Sequence, residues 1–212
     1  MTAWIELLRN HLRGQLDQQG AQYLEQALAC ASRGRELVNE LLDLARAEAD
    51  GRPLEDVRLE LALAEALGNL SVVLDESRAQ VDVAPLPPIR ARRTDVVRVL
   101  QNVVANALDA RRGPAPVLRV RATRLVDDEG RDVVELRVED DGVGLDAQDA
   151  ERVFEPFARL VPERAGTGLG LTLCRRLVTS HGGSIALEPR EAGGAVCRVR
   201  WTAAREAHSL SA

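Results

Sequence analysis

Glycine recurs at every second position of one short stretch, Gly166–Leu171, and a helical pattern of apolar residues follows it directly. Glycine allows sharp turns and lets a ligand approach the backbone, because no Cβ stands in the way. A helix that begins after such a turn points free backbone N–H groups at whatever lies in front of it, which favours phosphate. Many glycine-rich loops are ordinary turns, so the stretch predicts either a phosphate site or a plain connection.

Composition limits the remaining possibilities. The chain has 212 residues, enough for one good-sized domain with an appendage. Apolar residues make up 45% but aromatic residues only 2%, so we expect a core of leucine, valine and alanine. The net charge is −5 and both signs are mixed along the chain, which argues against a nucleic-acid partner or a charged membrane surface. With no signal peptide and no apolar run long enough to span a bilayer, we expect a cytoplasmic chain without direct membrane insertion.

The cysteines, Cys30, Cys174 and Cys197, are odd in number and far apart in sequence. Their separation matches no metal-ligand spacing, so we expect buried free thiols in a reducing compartment.

Residues 1–50 predict a helical hairpin, with a short first arm, a break at Gly14–Gly20 and a long helix from about Ala21 to Ala49. The long helix carries two neighbouring apolar stripes, formed by Leu24, Leu28, Ala31, Val38, Leu42 and Ala45 and by Tyr23, Ala27, Cys30, Leu37, Leu41 and Leu44. Together they make a face wider than one partner helix can cover, so we expect a dimeric four-helix bundle. The alternative is packing of this helix on the second domain of the same chain.

Gly51-Arg52-Pro53 ends the helix and predicts a domain boundary, giving domains at 1–50 and 51–202 and a tail at 203–212. The second domain alternates helices and strands, which indicates an α+β fold. We expect helices at about 59–78, 95–110 and 171–180, and strands near 81 and at 117–125, 133–140, 184–188 and 195–201.

Three polar residues lie on one stripe of the predicted helix 95–110. Asn102, Asn106 and Asp109 are spaced i, i+4 and i+7 in an otherwise apolar pattern. Asparagine is a poor helix former, so two on one stripe indicate either a solvated face or amide oxygens directed at a hard cation or at phosphates.

Asp140 ends the strand 133–140 and has the same alternation parity as its apolar side chains, Val134, Leu136 and Val138. A carboxylate at that position either caps the turn at Asp141-Gly142 or accepts a hydrogen bond from a ligand in the core. Gly144 leaves room for a flat ligand beside the turn. Farther along, Phe154 and Phe157 are interpreted as anchors for a segment that covers the pocket.

With these features in view, residues 57–202 resemble the ATP-binding catalytic domain of sensor histidine kinases, in the superfamily that includes DNA gyrase, mismatch-repair ATPases and a heat-shock chaperone. Residues 102–110 are similar to the family's asparagine box, 140–144 to its first glycine box, 154–157 to its phenylalanine box and 166–171 to its second glycine box. The resemblance implies a mixed sheet with helices on one face and the nucleotide between them.

The resemblance also implies roles for individual residues. Asp140 would bind the adenine amino group beside Gly142 and Gly144, and Asn106 would hold Mg²⁺ together with Asn102. The phosphates would lie on the amides of Thr167, Gly168, Leu169 and Gly170, with residues 158–165 as the ATP lid and Arg159 as a phosphate contact. Many members carry a lysine where this chain has Asp109, so arginine would supply the positive charge here.

One position separates the subfamilies. Hydrolytic members carry a glutamate four residues before the Mg²⁺ asparagine, where this chain has Asn102, and an amide cannot act as a general base. The resemblance therefore implies a kinase that does not spend ATP on water.

Residues 1–50 resemble the dimerisation and phosphoacceptor hairpin of the same family, although the acceptor box is absent. The three histidines are His11, His181 and His208. His11 lies about ten residues too late and lacks the acidic neighbour, while His181 is expected to be structural.

Two hypotheses follow. The chain is either the core of a sensor histidine kinase, which passes the γ-phosphoryl of Mg·ATP to a histidine and onward to a response regulator, or a dimeric nucleotide-binding interaction module without transfer activity.

Overall fold

The computed structural model describes residues 7–8, 11–12, 17–49, 52–160 and 166–204. Residues 205–212 of the predicted tail, the lid residues 161–165 and most of the first arm of the hairpin lie outside them. The helices are α1 (Gln18–Ala49), α2 (Leu59–Asn69), α3 (Ser71–Ser77), α4 (Arg93–Asp109) and α5 (Gly170–Ser180). The strands are β1 (Glu55–Val57), β2 (Gln80–Val83), β3 (Ile89–Ala91), β4 (Val117–Val126), β5 (Asp132–Glu139), β6 (Ser184–Pro189) and β7 (Ala195–Thr202).

Five strands form a mixed sheet in the order β2-β4-β5-β7-β6. The pair β2–β4 is parallel and the other three pairs are antiparallel. The strands β1 and β3 form a separate two-stranded antiparallel ribbon. The sequence did not predict this ribbon, because three-residue strands are too short to show an alternating pattern.

Helices α2, α4 and α5 cover one face of the sheet, as the resemblance implied. Their apolar residues join those of β4, β5 and β7 in one core in which Leu100, Val104, Leu136 and Trp201 are almost fully buried. The opposite face carries charged side chains, among them Glu135, which pairs with Arg137 and Arg200. This division gives the α+β fold its single apolar layer.

The long helix α1 begins earlier than predicted. The Asp17 carboxylate accepts a hydrogen bond from the Gly20 backbone N–H at 2.7 Å, so it caps the first turn. This cap lets the helix include Gly20, which the sequence analysis placed in a break. Much of the apolar surface of α1 is exposed, including Tyr23, Val38 and Leu42.

The predicted helix at 59–78 is wrong in its continuity, because two helices occupy this stretch. Gly68 and Asn69 end α2, and Leu70 separates it from α3 with φ −103° and ψ 8°. Both residues before the break have low helix propensity. The break was missed because the helical spacing of apolar residues continues across it.

The cysteines divide into two groups. Cys174 and Cys197 are buried and free, as predicted, whereas the prediction is wrong for Cys30, which is exposed on α1. Burial raises the pKa of the Cys197 thiol to about 12, with a further contribution from the charge of Asp140. That thiol therefore stays protonated and acts as part of the apolar wall.

Candidate nucleotide site

A cavity of about 570 Å³ lies between α4, α5 and the sheet. Nine of the eleven predicted site residues line it, namely Asn102, Asn106, Asp109, Asp140, Gly144, Arg159, Thr167, Gly168 and Gly170. The sequence therefore identified residues from four distant segments that fold around one space. The two exceptions, Gly142 and Leu169, are each next in sequence to a residue that lines the cavity.

Asp140 lies at the sheet end of the cavity and is only 5% exposed. Its Oδ1 accepts hydrogen bonds from the backbone N–H groups of Gly142, at 2.8 Å, and Ala195, at 3.2 Å. The carboxylate thus both caps the turn and faces the cavity, so the two interpretations of this residue are compatible. Burial raises the pKa of Asp140, while the two backbone hydrogen bonds and Arg190 act in the opposite direction.

Two glycines hold the backbone close to Asp140. A Cβ on Gly142 would lie 2.5 Å from the carbonyl oxygen of Ala110, and a Cβ on Gly194 would lie 2.0 Å from that of Asp140. Gly142 therefore shapes the turn instead of contacting the cavity. Gly194, which has φ +86°, was missed by the sequence analysis, although the pair Gly193-Gly194 directly before a strand was a usable signal.

The asparagine stripe of α4 faces the cavity. Asn102 donates through Nδ2 to the carbonyl oxygen of Arg98 at 3.1 Å, and its Oδ1 lies against the first residue of α5, Gly170. Asn106 and Asp109 are exposed at the cavity wall. The stripe therefore lines the cavity with polar side chains instead of packing into the core.

The glycine loop ends at the amino terminus of α5, as predicted. Gly168 has φ +76°, and a Cβ there would lie 2.7 Å from the backbone of Phe157. The Thr167 hydroxyl accepts a hydrogen bond from the Leu169 N–H at 3.3 Å. Leu169 itself is buried, so only its backbone can contribute to the loop. The start of α5 therefore points at the cavity with its partial positive charge.

The two phenylalanines have different environments. Phe154 is buried, lies under the Arg175 guanidinium at 4.0 Å, and its carbonyl oxygen accepts a hydrogen bond from Thr172. Phe157 is 60% exposed, so its prediction as a second anchor is wrong. Its contribution is through the backbone, because its N–H donates to the Gly168 carbonyl at 3.0 Å.

A residue of α1 also lines the cavity, and the sequence analysis did not single it out. Glu40 is half-buried there and accepts a hydrogen bond from the Thr167 hydroxyl. The two residues are 127 positions apart, so no local pattern could have indicated their contact.

Comparison with known proteins identifies the class. The family model for the histidine kinase-, DNA gyrase B- and HSP90-like ATPases matches residues 91–205, and the model for the His kinase A phospho-acceptor domain matches residues 1–50. The chain belongs to the histidine kinase-, DNA gyrase B- and HSP90-like ATPase family. Within that family, the match of residues 1–50 to the phospho-acceptor domain and the similarity to sensor histidine kinases identify residues 91–205 as a histidine kinase catalytic ATP-binding domain.

The sensor histidine kinase AruS of Pseudomonas aeruginosa is 33% identical over 200 residues, covering 89% of this chain and 19% of the relative. The structure of full-length ShkA in complex with AMPPNP has a TM-score of 0.71 and 25% identity, covering 95% of this chain and 42% of that one. Histidine kinase ThkA in complex with the response regulator TrrA shares the fold, with a TM-score of 0.68, 20% identity and coverage of 94% and 57%.

This chain spans a quarter or less of the length of the curated relatives that it matches first. Within the described part of the chain, no helix combines the length and the apolar character that a membrane crossing requires.

Proposed function

We propose that this chain binds Mg·ATP in the cavity between α4 and α5 and transfers the γ-phosphoryl group to a histidine, from which an aspartate of a response regulator receives it. Two copies would pair through their α1 helices.

The observation that carries the proposal is the burial of Asp140 together with the hydrogen bonding of its two carboxylate oxygens. A carboxylate that is 5% exposed at the end of a cavity needs hydrogen-bond donors. Oδ1 has two backbone donors, and within the described residues no hydrogen bond reaches Oδ2. The exocyclic amino group of adenine would supply a donor to Oδ2. Guanine has a carbonyl oxygen at that position, so the same carboxylate would disfavour it.

The opposite part of the cavity suits the phosphates. The backbone amides at the start of α5 favour an anion, and the exposed Arg159 lines the same cavity. Magnesium prefers oxygen ligands and keeps several waters, and the amide oxygens of Asn106 and Asn102 fit that preference together with phosphate oxygens. When bound, magnesium would neutralise phosphate charge during transfer.

The residues of this chain would act by positioning the reactants. Phosphoryl transfer needs little covalent help from the protein, so alignment and charge neutralisation dominate. The side chain at position 102 is an amide whose Nδ2 already donates to Arg98, so it cannot activate a water molecule. We therefore expect slow ATP hydrolysis.

Calorimetry with ATP, ADP and GTP tests the binding step. We expect Asp140→Ala to weaken ATP and ADP binding at least about tenfold, because a buried hydrogen bond to a charged group is worth roughly 1.5–3 kcal/mol. Asp141→Ala is the matched control, since this neighbouring carboxylate also accepts a backbone hydrogen bond but lies outside the cavity wall. Unchanged nucleotide affinity in Asp140→Ala would exclude the proposed purine site.

The transfer step requires a separate experiment. Labelled ATP would be mixed with the chain alone and with a fragment that carries an acceptor histidine, followed by a response regulator. Label on the fragment only when the chain is present supports the kinase. ATP binding without transfer under any condition supports the interaction module instead.

A further inference from the structure

Glu40 of α1 occupies the end of the cavity where the proposed function places the phosphates. Its carboxylate accepts the Thr167 hydroxyl hydrogen bond, and the same hydroxyl receives the Leu169 N–H. The carboxylate is therefore held beside the glycine loop that precedes α5, where the partial positive charge of the helix start favours an anion.

The contact belongs to a larger packed surface. Helix α1 lies along α5, and within the described residues this is where α1 makes most of its contact with the second domain. The described part of the connection between α1 and β1, residues 52–54, contains neither helix nor strand. Among the described residues, the main apolar core includes none from α1, so separation of α1 from α5 would leave that core intact.

An anion at this position disfavours a second anion. A triphosphate would bring several negative charges next to the Glu40 carboxylate, whereas adenosine would bring none. In a partly enclosed cavity such repulsion is screened less than in bulk water. The docked arrangement should therefore discriminate between ligands by their phosphate charge.

Resting on the proposed function, we propose that Glu40 determines the phosphate selectivity of the site. While α1 is docked, its carboxylate takes the place of phosphate at the glycine loop, and triphosphate binding is coupled to the separation of α1 from α5. The coupling is reciprocal, so whatever holds α1 against α5 lowers ATP affinity and whatever separates them raises it.

The experiment compares ATP and adenosine affinities by calorimetry for the full chain and for Glu40→Gln, which removes the charge but keeps an acceptor for Thr167. We expect Glu40→Gln to bind ATP about three- to tenfold more tightly, with adenosine affinity unchanged and the gain reduced in 0.5 M salt. Glu40→Ala should show at least the same gain, because it also removes the hydrogen bond. Glu25→Gln, the same change at an exposed position of α1, should match the unaltered chain.

The outcomes separate the two proposals. An equal ATP-to-adenosine ratio in Glu40→Gln and the unaltered chain would overturn the role of Glu40 while leaving the nucleotide site standing. Weaker ATP binding in Glu40→Gln would also overturn it, and would indicate that the carboxylate assists magnesium. If neither ligand bound the unaltered chain, the nucleotide site itself would be excluded.

Discussion

Asp140 combines two tasks in one side chain, because one oxygen shapes the turn while the carboxylate faces the cavity. This arrangement depends on backbone groups that approach more closely than any side chain would allow. Gly194 is the closest of them, since its missing Cβ leaves space for the carbonyl oxygen of Asp140. The site is therefore sensitive to residues that do not contact the ligand.

We predict that Gly194→Ala lowers the free energy of unfolding by about 3 kcal/mol or more and weakens ATP binding, because strain at φ +86° adds to an overlap with the backbone. Urea denaturation and calorimetry would measure both effects. Gly130→Ala separates the two causes, since Gly130 has φ +76° but open space around it, and should cost only about 1 kcal/mol. If both variants lost the same free energy of unfolding, the overlap of a Cβ at position 194 with the Asp140 backbone would not be the cause.

Among the elements, α4 and α5 form the two walls of the cavity, and their far ends are tied together. The Asp95 Oδ2 accepts the Arg92 Nε–H at 2.7 Å and lies 3.0 Å from Nε2 of His181. Arg92 also donates to the Ser180 hydroxyl at 2.7 Å. His181 is buried, in line with its expected structural role. The cluster fixes the start of α4 to the end of α5.

We predict that Asp95→Asn lowers the free energy of unfolding at pH 7 by about 2–4 kcal/mol, because Arg92 loses a buried charged partner. Burial raises the pKa of Asp95, but hydrogen bonds from His181 and Arg92 outweigh it, so the net pKa lies below 3.8. The stabilisation is therefore complete above the unfolded pKa and is lost as the pH falls through the folded one.

Urea denaturation at pH 7, 5 and 3 would measure the free energy of unfolding of the unaltered chain and of Asp95→Asn. We expect the difference between these two free energies to be smaller at pH 3 than at pH 7. Asp128→Asn, in an exposed turn, is the control. A difference that stays constant down to pH 3 would show that Asp95 does not act through its charge.

For the whole molecule, the exposed apolar side chains of α1 form a surface that the described fold leaves uncovered. Val38 and Leu42 are 56% and 49% exposed, one helical turn apart. Surfaces of this kind on a helix mark an interaction with another chain. The exposed side chains agree with the predicted four-helix bundle. The contact of α1 with α5 corresponds to the alternative prediction, in which the long helix packs on the second domain of the same chain. One helix can do both, because Leu37 and Glu40 are half-buried while Val38 and Leu42 stay exposed.

We predict that the double change Val38→Glu and Leu42→Glu raises the dimer dissociation constant at least about 100-fold, because two charges would be buried in the seam. Analytical ultracentrifugation would measure it, and adenosine affinity should stay unchanged. The matched control places two glutamates at Gln22 and Gln26, which are exposed on the same helix. A monomeric unaltered chain at micromolar concentration would contradict the bundle.

The sequence predicted features that have a local cause. The alternation in β5 predicted the burial of Asp140, and the three- and four-residue spacing in α4 predicted that Asn102, Asn106 and Asp109 share a face. The break at Leu70 and the cap at Asp17 were missed, because short signals were outweighed by a continuous period. Gly194 and Glu40 depend on contacts between segments far apart in the chain, which periodicity does not report.

Cys30 is exposed on α1, while Cys174 and Cys197 are buried, so a maleimide dye should attach to α1 and leave the cavity unmodified. Cys30 also belongs to one of the stripes through which we expect two copies to associate. The rate of dye attachment would then rise with the fraction of chains that are apart, which gives the protein an intrinsic reporter of its own assembly.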